Sequence, residues 1–334
     1  MRSFRQSEET KPLKKIIFSL VFVLAVLVVS KIASDGWFWA SGKMDGVGSV
    51  WKKKLPLQTI QISEKAKESS ALSIKSEAAV VLDAKKEMIL FEKNMQEQLP
   101  IASLSKLMTA LVYLETDPDL NDTATIILED AMGAGYSQLK VKETFTLCDL
   151  LHASLMSSNN RTTRTLVRTC GLSYAEFINR MNLKAKKIGL ENTVFFEPTG
   201  LDTNNRSTAL DCARLLYFAQ KESLIASIMG KTTYQFSSLG KRRRTHQIRN
   251  TNKLLYTPLP SEDMGNVTCG KTGYNGPSGY CFSTLVQREE GEEIIAVVLG
   301  APSSQTRFKE IKSILRWSLQ EDRIQTTGKA HQGG

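Results

Sequence analysis

Residues 265–273 read Gly-Asn-Val-Thr-Cys-Gly-Lys-Thr-Gly, and their flanks rule out the fold they first suggest. Gly265 to Thr272 satisfies the phosphate-loop pattern G-x-x-x-x-G-K-[ST]. Such a loop needs a buried strand before it and a helix after it, because the helix N-terminus supplies the N–H groups that meet the phosphates. Here the preceding TPLPSEDM is polar and holds two prolines, and the following GYNGPSGY holds three glycines and a proline before CFSTLV. No helix starts in such a segment. The stretch therefore reads as a strand, Asn266 to Tyr274, a tight turn and an antiparallel return strand. Lys271 and Thr272 then project from a strand, and a nucleotide ligand is excluded.

The rest of the chain fits around that hairpin. Residues 78–94 give two short apolar runs around a Lys-Lys-Glu turn, a second hairpin. Leu104 to Leu114 is a long apolar helix, stopped by Asp117-Pro118. Residues 147–170 are helical, with polar SSNNRTT in their middle, and another helix runs from about Thr208 to Gln220. Tyr280–Arg288 and Glu293–Gly300 alternate as strands, and Arg307 to Leu319 closes the chain as an amphipathic helix. Strands, then helices, then strands and a helix predict an α/β (α+β) sandwich: an antiparallel sheet of about five strands flanked by helices, with an all-helical subregion.

The net charge is +10, and residues 1–54 alone carry ten basic and four acidic side chains. The basic excess thus precedes the folded part, which argues against nucleic-acid binding. Lys241-Arg-Arg-Arg244 reads as a solvated loop. Ile16 to Val29 is apolar apart from Ser19, and with Ser30–Ala33 it reaches 18 residues, near the lower limit of about 17 for a spanning helix. Five basic residues precede it, and Trp37 and Trp39 follow. The expectation is a signal anchor at 16–33 in the bacterial cytoplasmic membrane, with 1–15 cytoplasmic and the rest outside the cytoplasm; a cleaved signal peptide is the alternative. Residues 34–76 read as a tether, 77–320 as the main folded domain and 321–334 as a polar tail. The five cysteines contain no Cys-x-x-Cys. Nothing points to a metal or cofactor, each cysteine reads as a small buried residue, and one or two disulfides stay open.

Chemistry enters with Ser-x-x-Lys, which places a serine and an amine on one face of a helix. The pattern occurs four times, but only Ser103/Lys106 stands at the start of a strongly apolar helix. There the helix dipole favours negative charge on the serine oxygen, and burial lowers the lysine pKa towards that of a base. Ser103 as a plain N-cap is the structural alternative. Polar Ser157–Asn160 inside an apolar helical stretch would cost about 1–3 kcal/mol per unpaired group, so these side chains should line something. A solvent-facing turn is the alternative. Ser-x-x-Lys, Ser-x-Asn and Lys-Thr-Gly, in this order, form the signature of penicillin-recognising serine enzymes.

With these motifs the chain resembles the low-molecular-mass penicillin-binding proteins that act as D-alanyl-D-alanine carboxypeptidases. The resemblance runs from about Ala78 to Trp317 and includes ASLSKLMTALVYLE (102–115), DLLHASLMSSNNRTT (149–163), PTGLDTNNRSTALD (198–211) and GKTGYNGPSGYC (270–281). It implies a β-lactamase/transpeptidase-like fold and a cell-wall enzyme that cuts peptidoglycan stem peptides through an acyl-enzyme, with β-lactams as covalent inhibitors. By position it implies Ser103 as nucleophile, Lys106 as its base, Ser158 as proton donor to the leaving amine, and Asn160 as the group orienting Lys106. The family's spacing selects Ser158 and Asn160 over Ser157 and Asn159. Lys271, Thr272, Gly273 and Tyr274 would bind substrate, with Arg307 helping to hold its carboxylate and the N–H groups of Ser103 and Tyr274 forming an oxyanion hole. Two departures stand near the site: Arg161-Thr162-Thr163 replaces an aspartate and two small residues, and Asn205-Arg206 replaces a His or Tyr. A DD-endopeptidase, a β-lactamase using Glu197, and a non-catalytic penicillin-binding module remain as alternatives. A Ser-His-Asp hydrolase does not fit, because the three histidines accompany no G-x-S-x-G elbow.

Overall fold

The computed structural model describes residues 56–320; the expected anchor at 16–33 and the tail at 321–334 lie outside the described residues. In chain order the main elements are β1 (Gln61–Ile62), β2 (Ala78–Asp83), β3 (Met88–Lys93), α1 (Ser105–Leu114), α2 (Leu147–Met156), α3 (Asn160–Thr169), α4 (Tyr174–Lys187), α5 (Ala209–Lys221) and α6 (Ser223–Gly230). A hairpin of β4 (Thr233–Ser237) and β5 (Thr245–Arg249) follows, then β6 (Asn266–Asn275), β7 (Gly279–Gln287), β8 (Glu293–Ala301) and α7 (Ser304–Gln320).

The sheet runs β1-β3-β2-β8-β7-β6, so strands from the two ends of the chain meet at β2 and β8. Five of these strands pair antiparallel. The sixth, two-residue β1, pairs parallel with β3, which makes the sheet mixed. Residues 56–76 were expected to be tether, yet they join this body: Leu57 is fully buried, and its N–H donates to the Glu87 carboxylate at 2.9 Å. Lys75 and Ser76 are held by Glu310 of α7. Bonds from the segment's backbone N–H groups to the Glu87 and Glu310 carboxylates and scattered buried side chains, Leu57, Ala66 and Ile74, do this, and neither leaves a periodic trace in sequence.

β2 and β8 read as unbroken apolar runs because both sheet faces are covered. Val80 and Leu82 enter one core with α1, α2, α4 and α5, while Ala79 and Val81 enter a second core with Phe308, Ile311 and Leu315 of α7. Helix α1 is buried along nearly its whole length, from Ser105 to Tyr113; most of it is apolar, and the polar residues it buries are Ser105, Lys106 and Thr109. Among the described residues no helix is long and apolar enough to cross a membrane. All five cysteines are free thiols. Lys241–Arg244 forms the exposed turn of the β4–β5 hairpin.

Candidate active site

Four elements converge on the N-terminal end of α1. Ser103 lies in a single 3₁₀ turn, Ala102–Leu104, that runs straight into the helix. Ala102 has φ +45°, an uncommon conformation for a residue with a side chain. Gly200 explains how the turn is held: a Cβ there would stand 1.8 Å from the Ala102 carbonyl oxygen, and its φ is +83°. On the other side, a Cβ on Gly273 would stand 3.1 Å from the Ser103 nitrogen. The nucleophile turn is thus packed between two glycines that only a missing side chain allows so close.

Lys106 lies one turn beyond Ser103 and is fully buried. Its Nζ donates to Ser103 Oγ at 2.8 Å, to Asn160 Oδ1 at 2.7 Å and to the Thr199 carbonyl at 2.5 Å. Burial brings its pKa down from 10.5 to about 7, with Glu197 opposing the change and Arg164 adding to it. An amine in that range accepts a proton at neutral pH. No acid accepts directly from Nζ among these partners, which is what leaves the amine free to be neutral.

The break between α2 and α3 supplies the next two groups. Ser158 has φ +58° and receives a hydrogen bond from Lys271 Nζ at 2.8 Å. Asn160 sits in the first turn of α3, its Oδ1 on Lys106 and its Nδ2 donating to the Ala134 carbonyl at 2.9 Å. The other register is engaged elsewhere. Ser157 Oγ donates to the Ala153 carbonyl, and Asn159 caps α3 by accepting from the N–H groups of Arg161 and Thr162.

Strand β6 closes the far side. Lys271 is buried, and desolvation, then the nearby Lys106 and Arg307, hold its pKa well below that of a free lysine. Thr272 Oγ1 donates to Thr251 Oγ1 at 2.6 Å. Tyr274 is 56% exposed and stacks on Tyr280, ring centroids 4.2 Å apart. Arg307 reaches the strand from α7, but its Nη1 donates to the Gly273 carbonyl at 2.9 Å and to that of Cys281 at 3.3 Å. Its guanidinium therefore braces the backbone of β6. Burial lowers its pKa to about 10.

The predicted site residues Ser103, Lys106, Ser158, Asn160, Lys271, Thr272, Gly273 and Arg307 lie in or directly against this cluster, with Tyr274 next on β6. Two other residues take part: Thr199, which stands inside PTGLDTNNRSTALD, and Thr251. The Thr199 carbonyl accepts from both Lys106 and, at 3.4 Å, Ser103 Oγ. Thr251 connects β5 to Thr272. A carbonyl contributes through its position, so no residue identity could have announced Thr199. Glu197 hydrogen-bonds to neither Ser103 nor Lys106, although its charge acts on the Lys106 amine. Its carboxylate accepts from the N–H groups of Thr199, Gly200 and Asp202 and from Thr199 Oγ1, so it shapes the turn that places Thr199. Asn205 is a buried brace: its Nδ2 donates to Ser105 Oγ, and its Oδ1 accepts from the N–H groups of Phe196 and Glu197.

The family model for D-alanyl-D-alanine carboxypeptidases, the S11 peptidases, matches residues 64–303. The chain belongs to this family. It is 31% identical over 264 residues to the D-alanyl-D-alanine endopeptidase of Escherichia coli, covering 78% of this chain and 82% of that one. The D-alanyl-D-alanine carboxypeptidase DacF of Bacillus subtilis is 28% identical over 265 residues, covering 76% of this chain and 65% of that one. Among solved structures, the Streptomyces K15 DD-transpeptidase superposes with a TM-score of 0.68 at 24% identity, covering 74% of this chain and 98% of that one. Penicillin-binding protein D2 of Listeria monocytogenes, in its cefotaxime-bound form, gives 0.65 at 27% identity over 75% and 99%. As an S11 peptidase the chain is a serine hydrolase with the penicillin-binding, transpeptidase-like α/β fold.

Proposed function

We propose that the chain is a serine D-Ala-D-Ala carboxypeptidase acting on peptidoglycan stem peptides. One observation carries the reading: the buried Lys106 amine, with a pKa near 7, stands 2.8 Å from Ser103 Oγ. Lys106 takes the hydroxyl proton as Ser103 Oγ attacks the carbonyl between the two D-alanines. The oxyanion meets the N–H groups of Ser103 and Tyr274; the close approach of β6 to the nucleophile turn at Gly273 supports that pairing. The C–N bond breaks as the proton held by Lys106 passes through Ser158, whose hydroxyl sits on Lys271, to the leaving amine, and Lys106 returns to its neutral form. Water then attacks the Ser103 ester, Lys106 accepts the water proton and passes it to Ser103 Oγ as the ester bond breaks, so that the shortened peptide leaves and both Ser103 and neutral Lys106 are regenerated. Lys271 and Thr272 hold the terminal carboxylate, and an arriving anion offsets the desolvation that lowers the Lys271 pKa. A β-lactam presents the same carboxylate and acyl carbon and is trapped as an ester.

The test is D-alanine release from a pentapeptide ending in D-Ala-D-Ala, with Ser103→Ala as control. Release by wild type alone supports the reading; no release by wild type contradicts it. A second reading, DD-endopeptidase, is favoured by relatives: the endopeptidases of E. coli and Pseudomonas aeruginosa are each 31% identical, and this chain spans 82% and 76% of their lengths. Cleavage of cross-linked muropeptide dimers without D-alanine release would select it. We also propose that residues 16–33 anchor the enzyme outside the cytoplasmic face of the membrane, on the strength of the apolar run and its basic flank. Retention in the membrane fraction after a high-salt wash is expected; quantitative release contradicts it.

A further inference from the structure

The loop 132–140 faces α3 without a strand partner, yet its carbonyls are taken up by side chains from the first two turns of that helix. Arg164 Nη1 donates to the Met132 carbonyl and Asn160 Nδ2 to that of Ala134. Arg161 Nη1 and Nη2 donate to the carbonyls of Leu139, at 3.0 Å, and Gly135, at 3.3 Å. Asn159 Nδ2 adds a bond to Ser137 Oγ at 2.7 Å. The loop bends through Gly133 and Gly135, both at positive φ, so its own backbone does little to fix it.

The bond from Asn160 has a consequence at the nucleophile. A side-chain amide presents its oxygen in one direction only while its nitrogen is held in the other. With Nδ2 on Ala134, Oδ1 must point at Lys106, where it accepts at 2.7 Å. Released from Ala134, the amide can rotate and offer Lys106 a second donor. Arg161 holds the loop on either side of Ser137, at Gly135 beside Ala134 and at Leu139. Its Nε is buried without a partner, so the fold accepts an unpaired donor there in order to place the two terminal amines.

We propose that Arg161 is a positioning residue for the reaction at Ser103: it pins loop 132–140 so that Ala134 holds the Asn160 amide with its oxygen on Lys106. The proposal rests on the reading of Ser103 and Lys106 given above. The experiment measures the second-order rate of labelling by a fluorescent penicillin from pH 5 to 8.5 on wild type, R161M and R161K, with thermal unfolding of each. R161M is expected to lose about tenfold or more in rate. Its acid limb should also move about one pH unit lower, because protonated Lys106 loses an acceptor. R161K, whose single ammonium reaches one carbonyl, should fall between. A merely structural role would lower the rate or the melting temperature and leave the acid limb in place. Wild-type rate and limb in R161M overturn the proposal. If R161M does not fold, R161K decides: a shifted limb supports it and an unmoved limb overturns it. Absence of any label on wild type is a different failure, one that removes the reading of Ser103 itself.

Discussion

Acylation by this enzyme should switch on with pH through Lys106, and the burial of that amine sets the direction of the effect. The change in its pKa from 10.5 to about 7 corresponds to about 5 kcal/mol of preference for the neutral amine. An ordinary lysine would be neutral in about one molecule in 3,000 at pH 7; Lys106 is neutral in about half. The pKa is lowered, so the competent form is present above pH 7 and is lost below it. The neutral fraction falls about tenfold per pH unit and reaches roughly 1% at pH 5. Labelling by a fluorescent penicillin should therefore be about fiftyfold slower at pH 5 than at pH 7, with circular dichroism showing the protein folded at both. Lys106→Arg, charged at every accessible pH, should abolish labelling without unfolding the protein. A rate that is flat from pH 5 to 8, or one that rises only near pH 10, would refute the assignment of Lys106 as the base.

Other outcomes follow from single contacts. Lys271→Ala removes the cation facing the substrate carboxylate and should slow penicillin acylation about 10- to 100-fold, with no nucleotide bound by either protein; an unchanged rate contradicts the role of β6. Gly200→Ala places a Cβ against the Ala102 carbonyl at positive φ and should cost about 3 kcal/mol or more in chemical denaturation; a loss under 1 kcal/mol would mean the turn moves freely. Denatured protein should give five thiols by titration without reductant, and native protein should react slowly at Cys212, Cys269 and Cys281, whose thiol pKa values burial pushes up. Fewer than five would reveal a disulfide.

Much of the site was legible because its chemistry uses side chains at short spacings. Ser103 and Lys106 are one helical turn apart, and Lys271 and Thr272 lie on a strand that the glycines and proline after it make unavoidable. The strands themselves were legible, but β8 was expected as an alternating strand, whereas the fold buries both of its faces between α5 and α7. Long-range backbone contacts were not legible. Glu310 holds the N–H groups of Lys75 and Ser76 across more than 230 residues, and no local pattern marks that pairing, so residues 56–76 read as tether. The stretch 147–170 read as one helical stretch with a polar middle, since its break is made by the φ of Ser158 and the Asn159 cap, which follow from tertiary placement. Arg161 and Asn205 stood out as departures from the family pattern. Their roles, holding loop 132–140 and bracing Ser105, appear only when the carbonyl and hydroxyl they reach are in view.

The most direct test of the account is to treat the protein with benzylpenicillin, digest it and locate the added mass. One penicilloyl group should appear, on the peptide containing Ser103, and Ser103→Ala should take none. An unmodified wild-type protein, or an adduct that persists in Ser103→Ala, would contradict it.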